Sequence, residues 1–313
     1  MIERLLRRLT VLLTCLLALA VGTVQAQPPG TCPALVELAL SELADNCDEL
    51  NRNNACYGYN LVDSTFVSEV EPGFFSEPAD RAIMNELASL RTAPLSVEDG
   101  RWGIAVMNVQ ANVPNTIPGQ AVTFILMGDA EIENAVDPTE AVVPGDPVDV
   151  IVGMDAVLRS QPTRTSNAID IAAEMLTVPA DARDTSGEWL RVAYQDRSAW
   201  VITSEIETDA AVWEALPAIS EERFSPMQAF YFSTGIGQPT CNDAPDVITI
   251  RGREDLFVDL TVNGADIRIG STIHLRQTGP DSFSMTVGEG TLEVLDTGVV
   301  VEGGESIDAT TNT

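Results

Sequence analysis

Apolar and polar residues alternate with a period of two over most of the chain, which predicts a mainly β protein with one clear helix near its start. Leu35, Leu38, Ala39 and Leu43 recur at helical spacing, with Glu37, Ser41 and Asp45 opposite, so a helix is expected over 33–46. Asn51 to Asn54 ends it, and Ala55 to Asn60 leads into an extended run to Val70. A short helix is expected around 81–90, then strands over 102–109 and 122–128 separated by the turn-rich loop 111–119. In mid-chain, Leu190, Val192 and Tyr194 alternate with Trp189, Arg191 and Ala193. Gln195 to Ser198 supplies a turn, and Ala199, Trp200 and Val201 begin a return strand. A short helical or irregular segment is expected around Trp213 and Leu216. Residues 246–307 are almost wholly strand and turn, with Asn263-Gly264 marking a hairpin. Residues 308–313 read as a polar tail.

This pattern divides the chain into modules. The expected fold class is mainly β and multi-domain: an α+β module with one helix over 27–147, a small barrel over 148–207, and an all-β domain over 246–308. Asp137 to Pro147, with three prolines and three acids, reads as an exposed linker. Gln120 to Phe124 echoes Gln228 to Phe232, and two such runs suit strands of one sheet. The first module would then be completed by residues 208–245, from beyond the barrel.

Residues 148–207 resemble the bacterial SH3 domain family. The resemblance is carried by Val157-Leu158-Arg159-Ser160-Gln161-Pro162, by Met175 to Val178, by Gly187 to Val192 with Tyr194, and by Ala199-Trp200-Val201. The family usually places glycine where this chain has Ala199. The resemblance implies an SH3-like barrel that contacts cell-wall peptide or glycan, or another protein. The run from Met285 to Val294, with Gly303 to Ser306, looks like the FecR-type β domain of bacterial envelope proteins.

The first 26 residues fit a targeting segment. Arg4, Arg7 and Arg8 precede the apolar run Leu9 to Val21, and small residues Val24 and Ala26 precede an expected cleavage after Ala26. The run falls short of the ~20 residues that span a bilayer, and no later segment is long enough, so the mature chain is expected to be soluble and outside the cytoplasm. The chain holds 47 acidic and 17 basic residues; without the leader the balance is 46 against 14. Such acidity argues against nucleic-acid or anionic-lipid partners. All 17 basic residues are arginine, so Schiff-base chemistry and phosphate-gripping lysines drop out.

Four cysteines remain after the leader: Cys32, Cys47, Cys56 and Cys241. An even count in an exported chain reads as two disulfides rather than a metal site. A helix over 33–46 would hold Cys32 and Cys47 ~20 Å apart. Of the two pairings left, Cys47 with Cys56 and Cys32 with Cys241 is favoured. Tyr57 and Tyr59 are expected to pack against a disulfide.

Candidate chemistry is sparse. His274 is the only histidine, it lies in a strand pattern, and no Gly-x-Ser-x-Gly turn accompanies it. Acid pairs such as Asp137 with Glu140, or Asp146 with Asp149, suit calcium in principle but lack the regular spacing of a calcium loop. The binding candidates are Arg159, Trp189, Tyr194 and Trp200, as rings for a shallow groove with a guanidinium to hold a carboxylate. The competing reading puts one tryptophan and the tyrosine in the barrel core. The preferred function is therefore an exported, non-catalytic binding protein without a cofactor. The alternatives are an extracellular hydrolase targeted by the SH3-like module, and a structural or adhesive surface component.

Overall fold

In the computed structural model, residues 31–111, 116–143, 145–220, 224–237, 239, 241–253 and 257–311 are described. The expected targeting segment, residues 1–26, lies outside them. The first element is the helix α1 (Cys32–Asn46), with Pro33 in its first turn, where a missing N–H costs nothing. Seven strands follow: β1 (Asn54–Tyr57), β2 (Val62–Phe66), β3 (Arg81–Ile83), β4 (Leu87–Thr92), β5 (Ile104–Val109), β6 (Val122–Met127) and β7 (Ala130–Asn134). The helix expected around 81–90 is replaced by β3, one 3-10 turn and β4. Ala82, Met84, Leu87 and Leu90 are buried there, and β4 is paired on both edges. Sheet pairing thus overrides the local helical signal.

The middle of the chain builds β8 (Val148–Val152), β9 (Val157–Arg159), β10 (Ala168–Ile171), β11 (Leu176–Asp184), β12 (Trp189–Tyr194) and β13 (Arg197–Ile202). A single turn, α2 (Ala210–Trp213), and the short β14 (Ala218–Ile219) complete this part. These strands form a seven-stranded, half-barrel-like sheet in the order β10-β9-β13-β12-β11-β14, with β8 on β11. Its interior holds Val150, Val152, Leu158, Leu190, Val192 and Val201.

The remaining strands are β15 (Ala229–Thr234), β16 (Val247–Arg251), β17 (Val258–Val262), β18 (Ala265–Gly279), β19 (Ser282–Val294), β20 (Val299–Glu302) and β21 (Ser306–Thr310). They join β1 to β7 in one fourteen-stranded sheet of order β2-β4-β7-β15-β17-β18-β16-β6-β5-β1-β3, with β19 on β18 and both β20 and β21 on β19. Although β6 and β7 are consecutive in sequence, four later strands lie between them. The sheet therefore does not stop at the expected boundary before residue 246. Nor do residues 308–310 form a tail, since Asp308 pairs with Ser284 and Thr310 with Ser282.

One apolar core runs through strands that precede and follow the seven-stranded sheet in sequence. The Phe124 ring of β6 meets Phe230 of β15 edge-on, centroids 5.5 Å apart, and Phe232 meets Phe283 at 5.4 Å. Each fully buried phenylalanine contributes about 1.5–3 kcal/mol. The two echoing runs, 120–124 and 228–232, thus lie in one sheet and share one core without being neighbours in it.

The long hairpin of β18 and β19 bends where Gly270 and Ser271 face Thr291 and Gly290. Gly290 has φ +76°, and a Cβ there would collide with the Gly270 carbonyl, so only glycine lets the strands cross this bend. Before the bend β18 pairs with β17, and after it with β16.

Helix α1 is held at both ends. Disulfides join Cys32 to Cys241 and Cys47 to Cys56, with Cα atoms 6.0 and 5.9 Å apart, the pairing favoured from the sequence. Tyr59 packs in the same cluster as Cys241, beside Val36, Ala39 and Trp102, whereas Tyr57 belongs to the main core and faces Phe75. Among the described residues, no helix is long and apolar enough to cross a membrane.

Candidate functional site

Strands β12 and β13 bury both of their faces. Alternation sends Leu190, Val192, Ala199 and Val201 into the barrel interior. Trp189, Trp200 and Ile202 go to the other face, where they pack with Val142, Ala182 and Ile219. Trp189 and Trp200 are only 5% and 3% exposed, so the expected ring groove is closed. The cover comes from β14 and from the segment expected to be an exposed linker. Val142 is buried, its N–H donates to the Phe224 carbonyl, and the Gly145 N–H donates to that of Asp181. Residues 137–140 and Asp146 remain exposed.

Nor do the four candidate residues converge. Arg159 lies opposite Trp200 in the register of β9 and β13, and its Nη1 donates to the Ser166 carbonyl. Tyr194 follows Leu190 and Val192 on the opposite face, where its hydroxyl donates to Asp170 at 2.5 Å. That bond raises the tyrosine pKa and lowers that of the aspartate. Strand parity therefore places Arg159 and Tyr194 on opposite sides of one sheet.

Beside the tryptophans lies a buried ion pair that the pattern of charges did not reveal. Arg191 Nε donates to Asp181 Oδ1 at 2.9 Å and Nη2 to Oδ2 at 2.6 Å, and both side chains are fully buried. Three groups of the large sheet complete the network. Arg191 Nη1 donates to the Thr116 carbonyl at 3.1 Å, Gln110 Nε2 reaches Asp181 at 3.4 Å, and Asn53 Nδ2 donates to Gln110 Oε1 at 3.0 Å. Arg52 adds a pair to Asp146 at 3.0 Å. Three of the five guanidinium donors of Arg191 are thus used, two on Asp181 within the seven-stranded sheet and one on the Thr116 carbonyl beside the large sheet, so this buried network bridges the two sheets. The only sequence signal was an arginine between Trp189 and Ala193, on the face of β12 turned away from Leu190 and Val192.

The other expectations can be placed too. Asp137 is used in a local turn, accepting from the Thr139 N–H and hydroxyl. Among the described residues, the single cluster of three possible metal ligands joins Asp243 to Cys32 and Cys241, whose sulfurs are already bonded to each other. His274 Nδ1 shares a hydrogen bond with Thr249 Oγ1 at 2.9 Å, and burial lowers its pKa.

Three surface features remain. At one corner of the barrel sheet, Met154, Ile171 and Met175 are 65%, 57% and 67% exposed. Backbone bonds from Asp155 to Ala172 and from Ala172 to Ala156, with Leu176 opposite Val152, bring these side chains to the same corner. Asp155 and Glu174 border them. A cleft of about 490 Å³ opens between β2 and the loop 70–76, walled by Phe66 and Phe74, whose rings meet at 5.2 Å. A second, of about 370 Å³, lies over the end of the β18–β19 hairpin and is lined by Arg276. No protein-family model, curated protein or solved structure matches this chain.

Proposed function

We propose that this is an exported binding protein of the bacterial cell envelope or extracellular space, in which an SH3-like barrel over 148–207 docks a cell-wall peptide. The leader pattern of residues 1–26 and the two disulfides support an oxidising, extracytoplasmic address. The module layout proposed is a barrel inserted into one discontinuous β domain, built from residues before 148 and after 207. The FecR-like stretch is the outer hairpin of that domain.

The observation that carries the binding reading is the exposed corner of Met154, Ile171 and Met175. Unbranched methionines adapt to varied apolar shapes, and a cluster of exposed apolar side chains bordered by charge marks an interaction surface. With Asp155 and Glu174 beside them, they suit a short peptide bearing an ammonium group. Docking is thereby moved from the buried tryptophans to this exposed corner.

Co-sedimentation with purified peptidoglycan tests the reading. The mature chain is expected in the pellet, and the Met154→Ser/Met175→Ser variant largely in the supernatant. A parent chain that stays in the supernatant overturns wall binding, and a variant retained as well as the parent overturns the corner.

A further inference from the structure

The cleft over the end of the β18–β19 hairpin contains an arginine whose charge is not spent inside the protein. Arg276 lies opposite Ser284 in the register of β18 and β19, and His274 lies opposite Thr286, so these four side chains share one face. Arg276 is half-buried, and its Nε is out of contact with solvent and has no hydrogen-bond partner. Arg52, Arg91, Arg101, Arg191 and Arg268 each have a carboxylate within 4.0 Å. Among the described residues, Arg276 has none. What sets Arg276 apart among the described residues is its Nε, the guanidinium nitrogen left buried without a hydrogen-bond partner.

The surroundings define what is missing. Gln277, Thr278, Ser284 and Thr286 line the cleft with amide and hydroxyl groups, and exposed Ile236 gives it an apolar wall. Asp246 is near enough to feel the guanidinium, but its Oδ1 is taken by the Asp129 N–H at 2.7 Å. Asp308 lies one strand further out, opposite Ser284. A guanidinium left without an acceptor is poorly satisfied, and a planar two-oxygen anion fits its fork. A doubly charged phosphate is disfavoured, since one arginine would face it with two aspartates close by and a chain net charge of −30.

We propose that this cleft binds the C-terminal carboxylate of a peptide, with Arg276 gripping the carboxylate and the Ser284 hydroxyl meeting the last amide, beside Thr278 and Thr286, whose hydroxyls are held by Ser282 and Ser306. At about 370 Å³ the cleft is near the small end of ligand pockets, which suits a chain end rather than a long segment. The site is separate from the barrel corner, so it stands or falls independently of the wall-binding reading.

The test follows the side-chain Nε–Hε signal of Arg276 by NMR in the full mature chain, assigned by its disappearance in Arg276→Gln. N-acetyl-dialanine with a free carboxylate is expected to move this signal saturably, while its amide and sodium acetate at equal concentration leave it in place. Arg276→Lys keeps the charge but loses the fork and should weaken binding about tenfold. Ser284→Ala, which leaves the arginine intact, should weaken it several-fold, and this second variant guards against misfolding of the first two. No saturable shift with the acid, an equal shift with the amide, or the full effect from acetate alone each overturns the proposal.

Discussion

The two sheets of this protein reach stability by different routes. The barrel sheet takes all of its strands from residues 148–219, and half of its pairings join strands consecutive in sequence. The fourteen-stranded sheet takes half of its strands from 54–134 and half from 229–310, and β7 pairs with β15 and β6 with β16 across the whole barrel. Closing so long a loop costs entropy before any contact is gained. The Cys32–Cys241 disulfide, with a sequence separation of 209, removes much of that freedom from the unfolded chain.

The sharpest test of this difference is to open each disulfide separately. On loop-closure grounds, Cys241→Ser paired with Cys32→Ser should cost about 5 kcal/mol, and Cys47→Ser paired with Cys56→Ser about 2.5 kcal/mol. Urea denaturation monitored by circular dichroism reads both, and equal losses would break the contrast between the sheets. Next in size is the junction. Asp181→Ala leaves Arg191 buried without its partner and should cost about 3–5 kcal/mol, whereas Asp181→Leu with Arg191→Met should recover much of it. An Asp181→Ala chain within 1 kcal/mol of the parent would show that the barrel is not held by this pair.

Gly290→Ala probes the large sheet alone. Its left-handed backbone and the facing Gly270 carbonyl set an expected loss of about 1–3 kcal/mol, with no effect on the barrel strands in hydrogen exchange.

His274 gives a smaller, pH-dependent term. Burial holds its folded pKa below the ordinary 6.5, so the unfolded chain takes up a proton first as the pH falls. Its contribution is complete above about pH 6.5 and is lost as the pH falls through that value toward the folded pKa. His274→Gln should flatten the acid side of the stability profile between about pH 7 and 5; an unchanged profile would remove the histidine from this role. Tyr194→Phe is the smallest change. The Tyr194–Asp170 bond is part-buried at the edge of the interior cluster, so thermal unfolding is expected to shift only slightly, and a clear drop would place that bond within the barrel's support.

Much of the strand pattern was legible because period-two alternation survives wherever one face of a sheet is buried. Val122–Met127 shows it residue by residue, alternately buried and half-exposed. The segment 81–90 was not legible, because its spacing suits a helix until β2 and β7 pair with β4 on either side. The tryptophans misled for a related reason. Trp189 and Trp200 occupy strand positions that alternation assigns to the outer face, but outer means exposed only if nothing covers it. Val142 and Ile219, each far from them in sequence, do so.

The sequence by itself determined the β character, the helix between two cysteines, the strand-turn-strand of 187–201 and the strong negative charge. Each depends on neighbours within a few residues or on counting alone. Only the tertiary structure decided that strands on either side of the barrel belong to one sheet, that the buried Arg191–Asp181 pair of one sheet meets Thr116 and Gln110 beside the other, and that Arg276 is left over. Those outcomes depend on which distant backbones and charges meet, and the free energy of such meetings resides in pair geometry that no single stretch of chain contains.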